Sequence, residues 1–160
     1  SGSTNGYTAN ISANVTKIPN YMFDNTNLTN VNIEEGSQLE NIGSRAFYGT
    51  KITSFTLPNS VTSIGSSAFS STRQLLSFIF EEDSKLESIS SSMFQDSAIT
   101  SITIPASVIS IGSSAFAAEN YSATYTSGLT SVTFEEGSQL TSIGANAFQK
   151  ARLLESIIIP

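Results

Sequence analysis

Apolar positions recur along this chain in two blocks that alternate from one end to the other. The first block reads apolar-x-x-apolar-Gly-x-x-Ala-Phe. It is written as VTSIGSSAF from Val61 to Phe69, VISIGSSAF from Val108 to Phe116 and LTSIGANAF from Leu140 to Phe148. Looser copies run from Val15 to Phe23, Leu39 to Phe47 and Leu86 to Phe94. The second block reads apolar-x-x-apolar-x-apolar: Leu28/Val31/Ile33, Ile52/Phe55/Leu57, Leu75/Phe78/Phe80, Ile99/Ile102/Ile104, Leu129/Val132/Phe134 and Leu154/Ile157/Ile159. Its alternation and β-branched content predict a short strand with one face buried.

The spacing carries a second layer. From Leu39 to Val61 is 22 residues, from Val61 to Leu86 is 25 and from Leu86 to Val108 is 22 again. The connectors alternate in step. Pro58-Asn59-Ser60 and Pro105-Ala106-Ser107 are short. Glu34 to Gln38, Glu81 to Lys85 and Glu135 to Gln139 are longer and acidic. Two units therefore form a super-repeat of 47 residues, seen from Leu39 to Leu86 and from Val61 to Val108. The interval from Val108 to Leu140 is 32 because the stretch Glu119 to Gly128 is inserted.

A unit of this length cannot bury its own apolar face, but stacked units bury each other's. The pattern predicts a solenoid with a parallel β ladder on its concave face and short helical or 3₁₀ turns on the convex side, at Ser-x-Ala-Phe. Phe23, Phe47, Phe69, Phe94, Phe116 and Phe148 are expected to stack as an internal spine, each close to fully buried. Gly43, Gly65, Gly112 and Gly144 are expected to mark a tight bend before the turn. The segment ahead of each such glycine predicts a second, minor ladder. The outward strand positions fall into columns on the concave face: Asn32, Ser54, Thr56, Ser77, Ile79, Ser101, Thr103, Ser131 and Thr133 are its candidate contact residues. A third column alternates Glu34, Pro58, Glu81, Pro105 and Glu135.

The pattern L/V-x-x-I-G-x-x-A-F followed by L-x-x-I-x-I-P-x-S resembles the BspA-like, or Treponema-type, leucine-rich repeats of bacterial and protozoan surface proteins. The resemblance runs from about Tyr7 to Pro160. It implies an α/β leucine-rich-repeat solenoid dominated by strands. It also implies an extracellular or cell-surface location and a role in adhesion, with a host or extracellular-matrix protein as partner. Many such repeats carry Cys a few residues after the Phe, where this chain has Thr50, Thr72 and Ser97, so nothing about thiols carries over.

Residues 1–160 read as a single domain of about six repeats plus a partial N-terminal strand. Both ends fall in mid-repeat without a polar capping unit, which predicts a segment of a longer array and end-to-end self-association through terminal apolar surface.

Composition narrows the function. With 7 basic against 13 acidic residues and a net charge of −6, the surface is a poor match for nucleic acid or anionic membranes. No apolar run approaches the length of a membrane span. The chain has no Cys or His, which removes disulfides and the Ser–His and Cys–His nucleophile pairs. Carboxylates remain for glycoside chemistry, but Glu34, Glu81 and Glu135 sit on alternate strands, about 10 Å apart. A hydrolase is thus a remote alternative, and no catalytic, cofactor or metal residues are expected. The acidic connectors could supply oxygens to Ca²⁺, but a solvated rim that keeps the array soluble explains them more simply. The insertion breaks the symmetry, and its Glu119, Asn120, Tyr121, Thr124 and Tyr125 form a candidate partner-binding loop. Its alternative is a tolerated surface insertion. Sequons stand at Asn10, Asn14, Asn27 and Asn120. Two functions compete: a non-catalytic binding module, and a spacer or stalk that presents another domain.

Overall fold

The computed structural model describes residues 5–119 and 128–160. Strands β1 (Tyr7–Ile11), β2 (Lys17–Ile18), β3 (Leu28–Ile33), β4 (Asn41–Ile42), β5 (Ser54–Leu57), β6 (Ser63–Ile64) and β7 (Ser77–Phe80) make the first half. The second half holds β8 (Ser88–Ile89), β9 (Ser101–Ile104), β10 (Ser110–Ile111), β11 (Ser131–Phe134), β12 (Ser142–Ile143) and β13 (Ser156–Ile157). The odd-numbered strands form the main ladder and the even-numbered ones the minor ladder, and every pairing is parallel. The chain is a parallel β-solenoid of about six turns.

The core follows the repeat. Leu39, Val61, Leu86 and Val108 open the first blocks and are fully buried, as are Ile18, Ile42 and Ile89. The spine stacks ring on ring: centroids lie 5.4 Å apart for Phe23–Phe47, 5.0 Å for Phe47–Phe69, 6.0 Å for Phe69–Phe94, 5.4 Å for Phe94–Phe116 and 5.3 Å for Phe116–Phe148. Phe55 and Phe78 meet the spine edge-on from the main ladder, which adds favourable aromatic contacts to the area buried. Phe148 is half-buried, not enclosed as expected, because it lies in the last coil described and is covered on one side alone. Thr50 and Thr72 are buried, and each hydroxyl donates to the carbonyl of the preceding Phe, at 2.9 and 2.6 Å.

The convex turns correct the sequence reading, for none of the described residues is helical. Around each Phe the backbone alternates between two kinds of hydrogen bond. Met22 and Asp24 donate back three residues, to Pro19 and Tyr21. Tyr21, Phe23 and Asn25 donate instead to Ser44, Ala46 and Tyr48 of the next coil, at 3.0, 2.9 and 2.8 Å. The same set recurs from Arg45, Phe47 and Gly49 to Ser66, Ala68 and Ser70. A helix would spend every N–H within its own segment. Here every second one is spent along the solenoid axis, and the backbone must turn left-handed to aim it. Tyr21, Arg45, Ser67, Ser92, Ser114 and Asn146, each two residues before the Phe, have φ between 54° and 60°.

The glycines of the first block also serve a purpose other than the one expected. Gly43, Gly65, Gly112 and Gly144 lack positive φ, so no bend demands them. They provide clearance. A Cβ on Gly65 would lie 2.3 Å from the backbone N of Ser44, and one on Gly112 would lie 2.5 Å from that of Ser91. With the side chain gone, each N–H reaches the Ile carbonyl of the coil before, at 2.8 Å for Gly43 and Gly65 and 2.7 Å for Gly112 and Gly144.

Candidate functional site

The main ladder sets the candidate face in register. Ser54 pairs with Ser77, and Ser101 with Ser131, giving one column. Asn10 with Asn32, Thr56 with Ile79 and Thr103 with Thr133 give the next. Asn32, Ser54, Thr56, Ile79, Ser101, Thr103 and Thr133 are exposed, while Ser77 and Ser131 are half-buried. Neighbours in a column bond to each other where chemistry allows. The Asn32 amide Nδ2 donates to Asn10 Oδ1 at 3.0 Å, and the Thr103 and Thr133 hydroxyls share a hydrogen bond of 2.9 Å. Ile79, 56% exposed, is the apolar residue among these polar, uncharged ones.

The third column is structural in part. Glu34 Oε2 accepts the backbone N–H of Ala13 at 2.7 Å, Glu81 that of Asn59 at 2.9 Å, and Glu135 that of Ala106 at 2.9 Å. Each carboxylate ties the long acidic connector of one coil to the connector of the coil before. Among the described residues, no three acidic side chains gather closely enough to hold a metal ion.

The same column interrupts the ladder. The N–H groups of Glu34, Glu81 and Glu135 donate to Ile11, Leu57 and Ile104 of the preceding strands, at 2.9, 3.0 and 3.0 Å. Pro58 and Pro105 take that place directly after β5 and β9 and have no N–H to give. β3 and β5 accordingly belong to separate sheets, as do β7 and β9. A cleft of about 610 Å³ opens between β3 and β5, and one of about 200 Å³ between β7 and β9. These clefts do have a signal in the sequence, since proline in a strand column is itself the sign of an unpaired edge.

Of the candidate loop, Asn120, Tyr121, Thr124 and Tyr125 lie outside the described residues. Glu119 is exposed, and its backbone N–H donates to Asp96 Oδ1 at 2.8 Å. Asp96 is a buried carboxylate that composition alone does not single out. A second group escaped the sequence reading because its members lie in different turns. The Arg45 guanidinium sits 3.9 Å from the Tyr48 ring centroid, 5.7 Å from that of Tyr21 and 3.3 Å from Asp24 Oδ2. Tyr21 and Met22 beside it are exposed.

The chain matches the BspA type leucine rich repeat region, in six copies, over residues 2–122 and 118–160. It is similar to the pneumococcal vaccine antigen PcpA, with 32% identity and a TM-score of 0.72 over 82% of this chain and 31% of that one. It also superposes on a leucine-rich cell surface protein of Faecalibacterium prausnitzii A2-165, with 21% identity and a TM-score of 0.51 over 92% of this chain and 59% of that one, a likeness of fold. Comparison with curated proteins gave no match. The chain spans about a third of the length of the pneumococcal antigen, 31%. Six coils in register and a stacked Phe spine are what these repeats have in common here, with a clearance glycine in four of them, and the chain belongs to the BspA-type leucine-rich-repeat family.

Proposed function

We propose that this chain is an extracellular or cell-surface binding module that engages a protein partner, such as a host or extracellular-matrix protein, and catalyses no reaction. The observation that carries the reading is the ladder face, where exposed Ser, Thr and Asn side chains stand in register on a rigid support. Such a surface offers many hydrogen-bonding groups at fixed spacing and asks for little ordering on binding. The column of carboxylates is engaged in joining coils, which leaves it poorly placed for acid–base chemistry. Membership of the family and likeness to a pneumococcal vaccine antigen support the location.

The Glu119–Gly128 insertion is the second contact region in this reading, with Tyr121 and Tyr125 as its amphipathic contacts. The test is retention of the chain on immobilised extracellular-matrix proteins, beside a variant lacking residues 120–127. Binding that falls with the deletion assigns the loop. Binding that persists assigns the contact to the ladder face, and no retention on any matrix protein overturns the module reading. The spacer alternative draws on one observation, the near-uniform Ser and Thr columns. A spacer would show no retention with or without the loop.

A further inference from the structure

The β3/β5 cleft is a gap between two parallel strands, not a fold in a finished sheet. Alternate residues of a strand direct their backbone groups to opposite sides. Since Glu34 donates toward β1, the backbone groups of Val31 and Ile33 face β5. Since Leu57 accepts from Glu81, which follows β7, those of Ser54 and Thr56 face β3. The coils are joined at the start of the gap, where the Lys51 N–H donates to Leu28 at 2.9 Å, and they diverge toward Pro58. What remains is a row of backbone donors and acceptors on each wall, at the spacing that strands use to recognise strands. Glu34, Glu35 and Glu81 border the cleft, and among the described residues no Lys or Arg lines it.

Resting on the binding-module reading, we propose that the cleft between β3 and β5 takes up an extended, basic peptide segment of the partner by strand addition. The segment's main chain pairs with the facing backbone groups of Val31 and Ile33 or of Ser54 and Thr56, and its Lys or Arg side chains meet the three carboxylates. This is the established mode by which an open sheet edge captures a peptide. Pro58 keeps the edge open: it removes the donor that would otherwise close β5 onto Ile33, as Glu81 closes β7 onto Leu57.

The experiment follows backbone amide NMR signals of the whole chain during titration with a blocked hexapeptide of alternating Lys and Val. Saturable shifts at Val31, Ile33, Ser54 and Thr56 are expected. A Glu/Val hexapeptide and a Lys/Val hexapeptide N-methylated at alternate residues should each bind weaker by about tenfold or more, having lost charge complementarity or main-chain donors. Pro58→Val restores the N–H and should close the gap, with a comparable loss of binding. Thr56→Pro removes a facing donor at an edge that tolerates proline and should weaken binding without disturbing the remaining coils. The proposal is overturned if the N-methylated peptide binds as well as its parent, if the four amides stay unmoved, or if cellohexaose shifts them and the peptide does not. Should the peptide fail while the chain is still retained on matrix proteins, the cleft assignment falls and the module reading stands.

Discussion

Replacing Gly112 with Ala puts a methyl group where the neighbouring coil already is. The new Cβ would lie 2.5 Å from the backbone N of Ser91 and 2.8 Å from the carbonyl carbon of Ser90. Neither atom is the end of a flexible side chain, so the coils must separate. The chain contains its own precedent. Ser90 occupies the position that Gly65 and Gly112 occupy in the adjacent coils. At that junction β6 and β8 are in different sheets, and the Phe69–Phe94 spacing is 6.0 Å, against 5.0 to 5.4 Å elsewhere in the spine.

Carrying that geometry over to Gly112 opens β8 from β10. The junction then loses the bonds from Gly112 N to Ile89 O at 2.7 Å and from Ile109 N to Glu87 O at 2.8 Å. At about 1 kcal/mol each these amount to about 2 kcal/mol. A gap of about 0.5–1 Å also forfeits a quarter to a half of the dispersion energy of each contact across it. The expected loss is about 2–4 kcal/mol, or roughly 4–16 °C in Tm for a chain of this size. Urea unfolding measures the total. Amide hydrogen exchange places it, because coils of a solenoid open locally and the Ile109 and Gly112 amides should lose protection first. A Gly112→Ala protein within about 0.5 kcal/mol of its parent, with both amides still protected, would refute the clearance argument. The reverse change, Ser90→Gly, should gain protection at residue 90 with little change in total stability. It closes a ladder but gives up the Ser90 Oγ bond to Gly65 O and adds backbone entropy to the unfolded chain.

Four further outcomes are expected. Phe69→Ala, at a fully buried ring that contacts Phe47, Phe55, Phe78 and Phe94, should cost about 3–5 kcal/mol by urea unfolding, and the half-buried Phe148→Ala clearly less. Thr72→Val should cost about 1–3 kcal/mol, since it keeps the shape but strands the Phe69 carbonyl without its buried hydroxyl partner. Asp83, with φ of 58° where the matching connectors have Gly36 and Gly137 at 74° and 78°, should tolerate Asp83→Gly with a gain of up to about 1 kcal/mol. Glu81→Ala should speed exchange of the Asn59 amide it caps, and Glu81→Gln, which keeps an acceptor, should restore most of the protection.

The repeat itself made much of this architecture legible. Period-2 alternation placed the main ladder, and the fixed distance from each opening residue to its Phe placed the spine. The face columns followed, and Ser54–Ser77 and Thr103–Thr133 fall in the register read from spacing. What escaped are properties of junctions between coils, which a local reading does not contain. Ser-Ser-Ala-Phe suits a helical turn when taken alone, but Ser67 and Phe69 donate to Ser91 and Met93 of the next coil. Gly65 looked like a bend because its clash partner, Ser44, lies 21 residues away. The prolines were visible as connectors, yet their effect depends on which neighbour would have received the missing hydrogen bond.

These junctions divide the labour between the two sides of the solenoid. On the ladder face the pairing lapses between β3 and β5 and between β7 and β9, and the minor ladder lapses between β6 and β8. On the turn side the alternate hydrogen bonds continue through every junction from Tyr21 to Gln149, beside the stacked spine. The turns therefore hold the coils together where the ladder lets them part. A partner strand entering the β3/β5 cleft would add pairing to the ladder face without breaking a bond on the turn side. Such a gap costs the fold little, because the Phe23–Phe47–Phe69 stack and the bonds from Tyr21, Phe23 and Asn25 continue behind it.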